Sequence, residues 1–370
     1  MVVLGHAYEG AGSPNADVFL PLILFGNSGV DLFFAISGFC LYYPYTGGRG
    51  PNWQTFYYRR VRRLMPPYYA AIAVIVVLPM VIQPVVAKLG LQADPVSWAN
   101  GRQVLVHLLC LQTLWHDTYY NLDGPLWSLG IEWQFYFVFP VAVWLVAKLG
   151  WRALVLFSIV ALGYRAGVAS NFPSSAQWTF DIADLFPSRW VEFVLGMIVA
   201  IAIRRSRSSR GSRAHEVLDL TGIVSLYFAA SFFLYGPLNQ YPYPAKDLLN
   251  AFFWSPILLF ACREDTLVSK VFSSKVLIWL GVRSYSLYLI HLPILFSIGD
   301  LIGHDHLGEP ATLLAMFGLG VPLSLACTAV FFHVFERPFI SASQSSVERS
   351  VRRFSIPFSD ELHTQPRSVE

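Results

Sequence analysis

Several short stretches of this chain hold residues able to do chemistry at spacings that would bring them together. The first is YYRRVRRLMPPYY at 57–69, which has arginines at 59, 60, 62 and 63 and runs directly into an apolar segment. On a helix Arg60 and Arg63 share one face, and Arg59 and Arg62 share the face beside it. Membrane anchoring accounts for one or two such charges, but four in five positions repel one another. Paired guanidiniums grip phosphate through two parallel hydrogen bonds. The pair Pro66-Pro67 is expected to open a helix whose free N–H groups add to an anion site. The expected ligand is a phosphate-bearing small molecule docked from the cytoplasm.

Ionisable groups inside apolar segments are costly and point to function. His6 ends MVVLGH, and Asp31 lies in GNSGVDLFFAISGF at 26–39. A carboxylate that fixes an imidazole in one tautomer makes histidine an effective base, so Asp31 is expected to orient His6. The bland readings are an interfacial histidine and a helix cap. Ser28, Asp31, Ala35 and Gly38 recur at helical spacing, a stripe of small residues that permits close helix approach. In GPLWSLGIEWQFYFVFP at 124–140, Ser128, Glu132 and Tyr136 follow one another on a single face. In RWVEFVLG at 189–196, Arg189 and Glu192 are spaced to pair, which reads as structure. In GVRSYSLYLIHLP at 281–293, Ser284, Tyr288 and His291 form a polar stripe, and a satisfied core histidine explains His291 as well as chemistry does. His304 and His306 in GHDHLGE form too weak a pattern for a metal centre, and none is expected.

The elements that must position these groups are membrane helices. The 370 residues are 55% hydrophobic and 13% charged, far too little charge for a soluble surface. The net charge of +3 argues against a nucleic-acid partner. Cys40, Cys110, Cys262 and Cys327 are widely spaced in apolar stretches and read as packing residues. Apolar segments fall near 21–43, 66–86, 126–147, 151–168, 189–203, 217–235, 247–262, 278–301 and 311–335, with a weaker one at 104–115. If 104–115 does not cross, most of the 26 Lys and Arg residues share one side, including the run RRSRSSRGSR at 204–213. It is therefore expected to be re-entrant or interfacial. The chain begins only five residues before His6, too few for a span, so the sequence is expected to start inside a first helix. The expected fold is an all-α polytopic membrane protein of about ten spans, with both termini cytoplasmic. Its membrane domain covers 1–340, and a Ser/Arg-rich tail, 341–370, is expected to be disordered.

In their order along the chain these stretches resemble the acyltransferase-3 family of integral membrane acyltransferases. That family modifies cell-envelope polysaccharides, lipid-linked sugars, peptidoglycan and some secreted glycosides. The matching blocks are VVLGH, GVDLFFAISGF, RRVRRLMP, LWSLGIEWQFYFVFP, RWVEFVLG, SYSLYLIHLP and FERPF at 335–339. The resemblance implies that His6 is the catalytic histidine, that Arg60 and Arg63 are the pair linked to acyl-CoA, and that Glu132 is the acidic member of its block. Arg59 and Arg62 make the arginine motif denser than the family pattern needs. The departure from the pattern is at the start, where the upstream half of the first helix, which in the family usually carries an arginine, is expected to be missing from the sequence.

The expected reaction is acyl transfer, acetyl foremost, from acyl-CoA as co-substrate to a hydroxyl of a carbohydrate or glycoconjugate at the cytoplasmic (inner) membrane. No bound cofactor is expected. Glu132 and the polar residues Ser128, Tyr136, Arg189, Ser284, Tyr288 and His291 would line the cavity. No SGNH-type esterase domain is seen after the last span, so transfer would be completed by the membrane unit or by a separate envelope protein. A transporter or flippase of lipid-linked sugar is the alternative. It predicts inverted repeats, which the sequence does not show, and leaves the arginine cluster unexplained.

Overall fold

The structure is a computed structural model that describes residues 2–12, 16–48, 50, 52–88, 100–172, 182–205, 220, 223–224, 244–263, 266–302 and 309–340. The segment at 217–235 falls largely outside these residues, as do His304, His306, the tail 341–370 and the basic run beyond Arg205. Every regular element among the described residues is helical. Five of these helices are long and apolar enough to cross a bilayer: Trp53–Val81, Gly124–Leu149, Trp151–Asn171, Phe186–Arg205 and Pro310–Phe339. A broken pair would make a sixth. This is the architecture of a polytopic membrane protein, in which helices satisfy their own backbone groups.

Helix α1 covers Val2–Glu9 and α2 covers Ala16–Tyr42. Helix α3, Trp53–Lys88, runs straight through the arginine cluster and includes Pro66 and Pro67 in its interior. The expectation that the prolines open a helix is corrected, and with it the contribution of free N–H groups to an anion site. The helix has already been started by Trp53, and its prolines are accommodated within a packed bundle. At the level of these prolines the Tyr285 hydroxyl donates to Leu64 O at 2.9 Å, a tie from a neighbouring helix. The arginines therefore lie along the flank of α3, not at its mouth.

The weak segment at 104–115 forms the eight-residue α4, Gly101–Leu108, and a 3-10 turn, Gln112–Leu114. At about 12 Å, α4 is too short to span. A short α5, His116–Tyr119, and a 3-10 turn, Gly124–Leu126, lead into α6, Trp127–Leu149. Helix α7 is Trp151–Asn171, α8 is Phe186–Arg205 and α9 is Pro244–Ala261.

The segment expected to run unbroken over 278–301 is broken. After α10, Leu267–Phe272, come α11, Lys275–Val282, and α12, Ser284–Ile302, which meet at 77° around Arg283. The Arg283 guanidinium lies over the rings of Trp279, at 4.5 Å, and Phe332, at 4.8 Å. A bend at this residue keeps its charge at the edge of the span that follows. The final span joins α13, Glu309–Ala315, to α14, Val321–Phe331, through the π-helical turn Met316–Gly320. A second π turn, Phe332–Glu336, follows.

Helices α2 and α8 make the closest contact in the core. A Cβ added at Gly38 would lie 2.0 Å from Phe193 O, and one at Gly196 would lie 1.9 Å from Ala35 O. The small-residue stripe read from the sequence is what lets these backbones touch, the usual basis of helix association in lipid. Around the seam Phe34, Phe135, Phe139, Trp190 and Phe193 form an aromatic core. Phe135 stacks on Phe193 with centroids 4.6 Å apart.

Candidate active site

Helices α1 and α12 bring His6 and His291 together. Their approach is set by glycine: a Cβ on Gly299 would lie 2.4 Å from Gly10 O. His6 Nδ1 and His291 Nε2 are 2.9 Å apart, and the rings stack with centroids at 5.1 Å and 16° between planes. His291 Nδ1 lies 2.9 Å from both Leu287 O and Tyr288 O. Carbonyl oxygens only accept, so His291 carries its proton on Nδ1 and presents a bare Nε2. His6 must then donate from Nδ1, which leaves its own Nε2 with a free lone pair. Glu9 Oε2 lies 3.8 Å from that nitrogen. The result is an imidazole held in the tautomer a general base needs.

From this pair a line of polar groups runs along α6. The Tyr288 ring lies next to His291, with centroids 6.0 Å apart, and stacks on Phe33. Its hydroxyl donates to Pro125 O and lies 2.6 Å from Ser128 Oγ. One turn further along, Glu132 Oε1 accepts from Tyr136 Oη at 2.6 Å and from Ser37 Oγ at 3.0 Å. The Arg60 guanidinium lies over the Tyr136 ring at 5.7 Å and over Phe56 at 5.5 Å. Arg60 and Arg63 are close enough for both charges to act on Glu132. The four arginines divide as their spacing predicts, with Arg59 and Arg62 exposed and Arg60 and Arg63 half-buried. Arg63 Nε is enclosed and has no hydrogen-bond partner. From Ser128 to Tyr136 the line covers about 12 Å of helix.

The expectation that Asp31 orients His6 is corrected. Asp31 Oδ1 accepts from Arg189 at 2.7 Å, and Oδ2 accepts from Asn250 at 2.8 Å. The contact with His6 expected of Asp31 is made by His291. Asp31 belongs to a buried ionic cluster in which Arg189 also reaches Asp184 at 2.6 Å, Asp247 at 3.3 Å and Glu192 at 3.4 Å. Arg165 reaches Glu192 at 2.5 Å and Asp247 at 3.6 Å. In low dielectric the two guanidiniums draw carboxylates from α2, α8 and α9 around them, which is why Asp31 pairs with Arg189. Arg189 lies over Trp127 and Phe34, so it supports the site from behind and does not line it. Ser284 also leaves the expected stripe: it is exposed and donates to Gly281 O at 2.9 Å beside the bend.

Sequence reading missed Ser37, which shares Glu132 with Tyr136, and assigned no role to Glu336. That residue, from the FERPF block, takes hydrogen bonds from the Ser286 N–H, at 3.1 Å, and hydroxyl. This fixes the first turn of α12 below Tyr288 and His291. Motif order could have drawn attention to Glu336, but its partner could not be read from spacing.

The described helices form a membrane bundle in which a histidine pair stands at one end of a row of polar side chains on α6 and Arg60 stands at the other. The chain belongs to the acyltransferase-3 family: the family's acyltransferase-domain model matches residues 1–332. It is 28% identical over 295 residues to the peptidoglycan O-acetyltransferase OatA of Listeria monocytogenes, covering 73% of this chain and 45% of that protein. It is 26% identical over 298 residues to the O-acetyltransferase OatA of Staphylococcus aureus, covering 74% of this chain and 47% of that protein. The chain thus spans about half the length of these curated relatives. No solved structure matches it.

Proposed function

We propose that this protein is a membrane O-acyltransferase that moves an acyl group, acetyl foremost, from acyl-CoA to a hydroxyl of an envelope carbohydrate such as peptidoglycan. The observation that carries this reading is the His6–His291 contact at 2.9 Å, which leaves His6 Nε2 free. The proposed setting is the cytoplasmic membrane. Acyl-CoA docks from the cytoplasm with its phosphates on Arg60 and Arg63, a geometry suited to planar guanidiniums. The enclosed, unpartnered Arg63 Nε supports a ligand there. The thioester arm extends along α6 past Glu132 toward Ser128 and Tyr288.

In the proposed reaction, His6 Nε2 takes the proton from an acceptor hydroxyl as its oxygen attacks the thioester carbonyl. The C–O bond forms, the C–S bond breaks, and the proton passes from His6 to the departing thiolate. His291 is a positioning residue that holds the His6 tautomer. Thiolate leaves readily, so a positioned base and aligned reactants supply most of the rate. Glu132, tied to Tyr136 and Ser37, orders the middle of the path.

The test is transfer of labelled acetyl from acetyl-CoA to chitopentaose by the purified full chain, with His6→Ala as the comparison. The reading predicts an alkali-labile acetyl ester with the wild type and none with the variant at equal expression. Ester formation by His6→Ala would remove the histidine from the reaction, and failure of the wild type would overturn the donor or acceptor class.

A further inference from the structure

Asp123 stands directly before the turn Gly124–Leu126 that leads into α6. An aspartate here ordinarily accepts a hydrogen bond from a helix N–H. The Asp123 side chain makes no such bond. It is nonetheless only 6% exposed, and its Oδ2 has no hydrogen-bond partner. Burial pushes the carboxyl well above the ordinary carboxylate range, so a donor that stabilises its charge has much to offer. An unpaired buried carboxyl group costs stability, and such costs are tolerated where function uses the group.

Its surroundings indicate the use. Asp123 is close enough to Tyr288 for its charge to act on the hydroxyl. The next residue, Gly124, faces the side chain of Leu292, which would lie 3.4 Å from an added Cβ. Asp123 therefore sits against the turn of α12 that carries Tyr288 and His291, at the end of the polar line away from Arg60. The donor site of the proposed reaction is at the arginine end. Asp123, next to Tyr288 at the opposite end, is placed on the acceptor side of that reaction.

We propose that Asp123 binds the acceptor carbohydrate, accepting a hydrogen bond from a hydroxyl next to the one His6 deprotonates. This rests on the acyl-transfer reading and adds the group that recognises the acceptor. It assigns the site a neutral polyol and disfavours an acceptor whose recognition group is itself anionic.

The test measures chitopentaose binding by calorimetry to the full chain in detergent, without acyl donor, for the wild type, Asp123→Asn and Asp123→Leu. Both variants are expected to bind the sugar more weakly by about tenfold or more, the usual effect of losing a hydrogen bond to a charged group. Acetyl-CoA affinity is expected to stay unchanged, and the thermal unfolding midpoint of Asp123→Leu to hold or rise as an unsatisfied buried group is removed. Sugar affinity equal to wild type in both variants would overturn the proposal, as would a wild type that does not bind the sugar. A lowered midpoint with unchanged sugar affinity would show a purely structural residue and overturn it too. Failure of the transfer reading shows separately, as missing ester in wild-type turnover.

Discussion

For a single side chain in this bundle, the partner decides the role. The two histidines were both visible in the sequence because imidazoles are rare in apolar helices. What could not be seen was which group would hold His6. Asp31 was the reasonable candidate by chemistry, but nothing in the spacing of α2 shows that Arg189, 158 positions away, reaches it first. The backbone carbonyls of Leu287 and Tyr288 settle the tautomer of His291, and through it that of His6. Replacing His291 with Phe is therefore expected to lower kcat by about a hundredfold or more, within the range general-base catalysis supplies. The KM for acetyl-CoA should be little changed, because the arginine end is untouched. Steady-state kinetics on the purified chain separates the two, and a rise in KM at constant kcat would contradict the assignment.

At the scale of elements, most of the helices were legible and their interruptions were not. Long apolar runs located α6, α7 and α8 to within a few residues, since bilayer thickness fixes their length. The small-residue stripe of α2 correctly announced a close neighbour, though not that Gly196 of α8 would supply the other half. Two local signals misled. Pro66-Pro67 lies inside α3, where packing overrides the preference for a helix start, and the run at 278–301 bends at Arg283. The seam makes a sharp prediction. Gly38→Leu forces a side chain into the backbone of Phe193 and should sharply lower the yield of folded protein and its thermal midpoint in detergent. Gly163→Ala in α7 meets open space and should leave both unchanged, or raise the midpoint through the helix propensity of Ala. Equal behaviour of the two variants would show that the α2–α8 approach is not what holds the core.

At the scale of the whole molecule, two polar systems divide the labour. The ionic cluster around Arg189 and Arg165 ties α2, α7, α8 and α9 together and contributes its charges to architecture. The line from His6 to Arg60 runs through α1, α12, α6 and α3. The sequence offers Asp31 and Arg189 as site candidates and gives no sign that Arg165, Asp184 and Asp247 join them, because burial and pairing are properties of the fold. The division predicts different failures. Arg189→Met leaves Asp31 and Asp184 buried without their cation and should destabilise the protein by about 3–5 kcal/mol, seen as loss of folded chain on size-exclusion chromatography. Normal folding with selective loss of turnover would place Arg189 in the reaction instead.

The most direct test of the account sets binding against turnover in one preparation. Acetyl-CoA affinity and acetyl transfer are measured side by side for the wild type, for His6→Ala, and for the double variant Arg60→Gln with Arg63→Gln. The account predicts that His6→Ala binds acetyl-CoA like the wild type yet forms no ester, while the double variant loses affinity by well over about tenfold. Unchanged acetyl-CoA affinity in the folded double variant would contradict it.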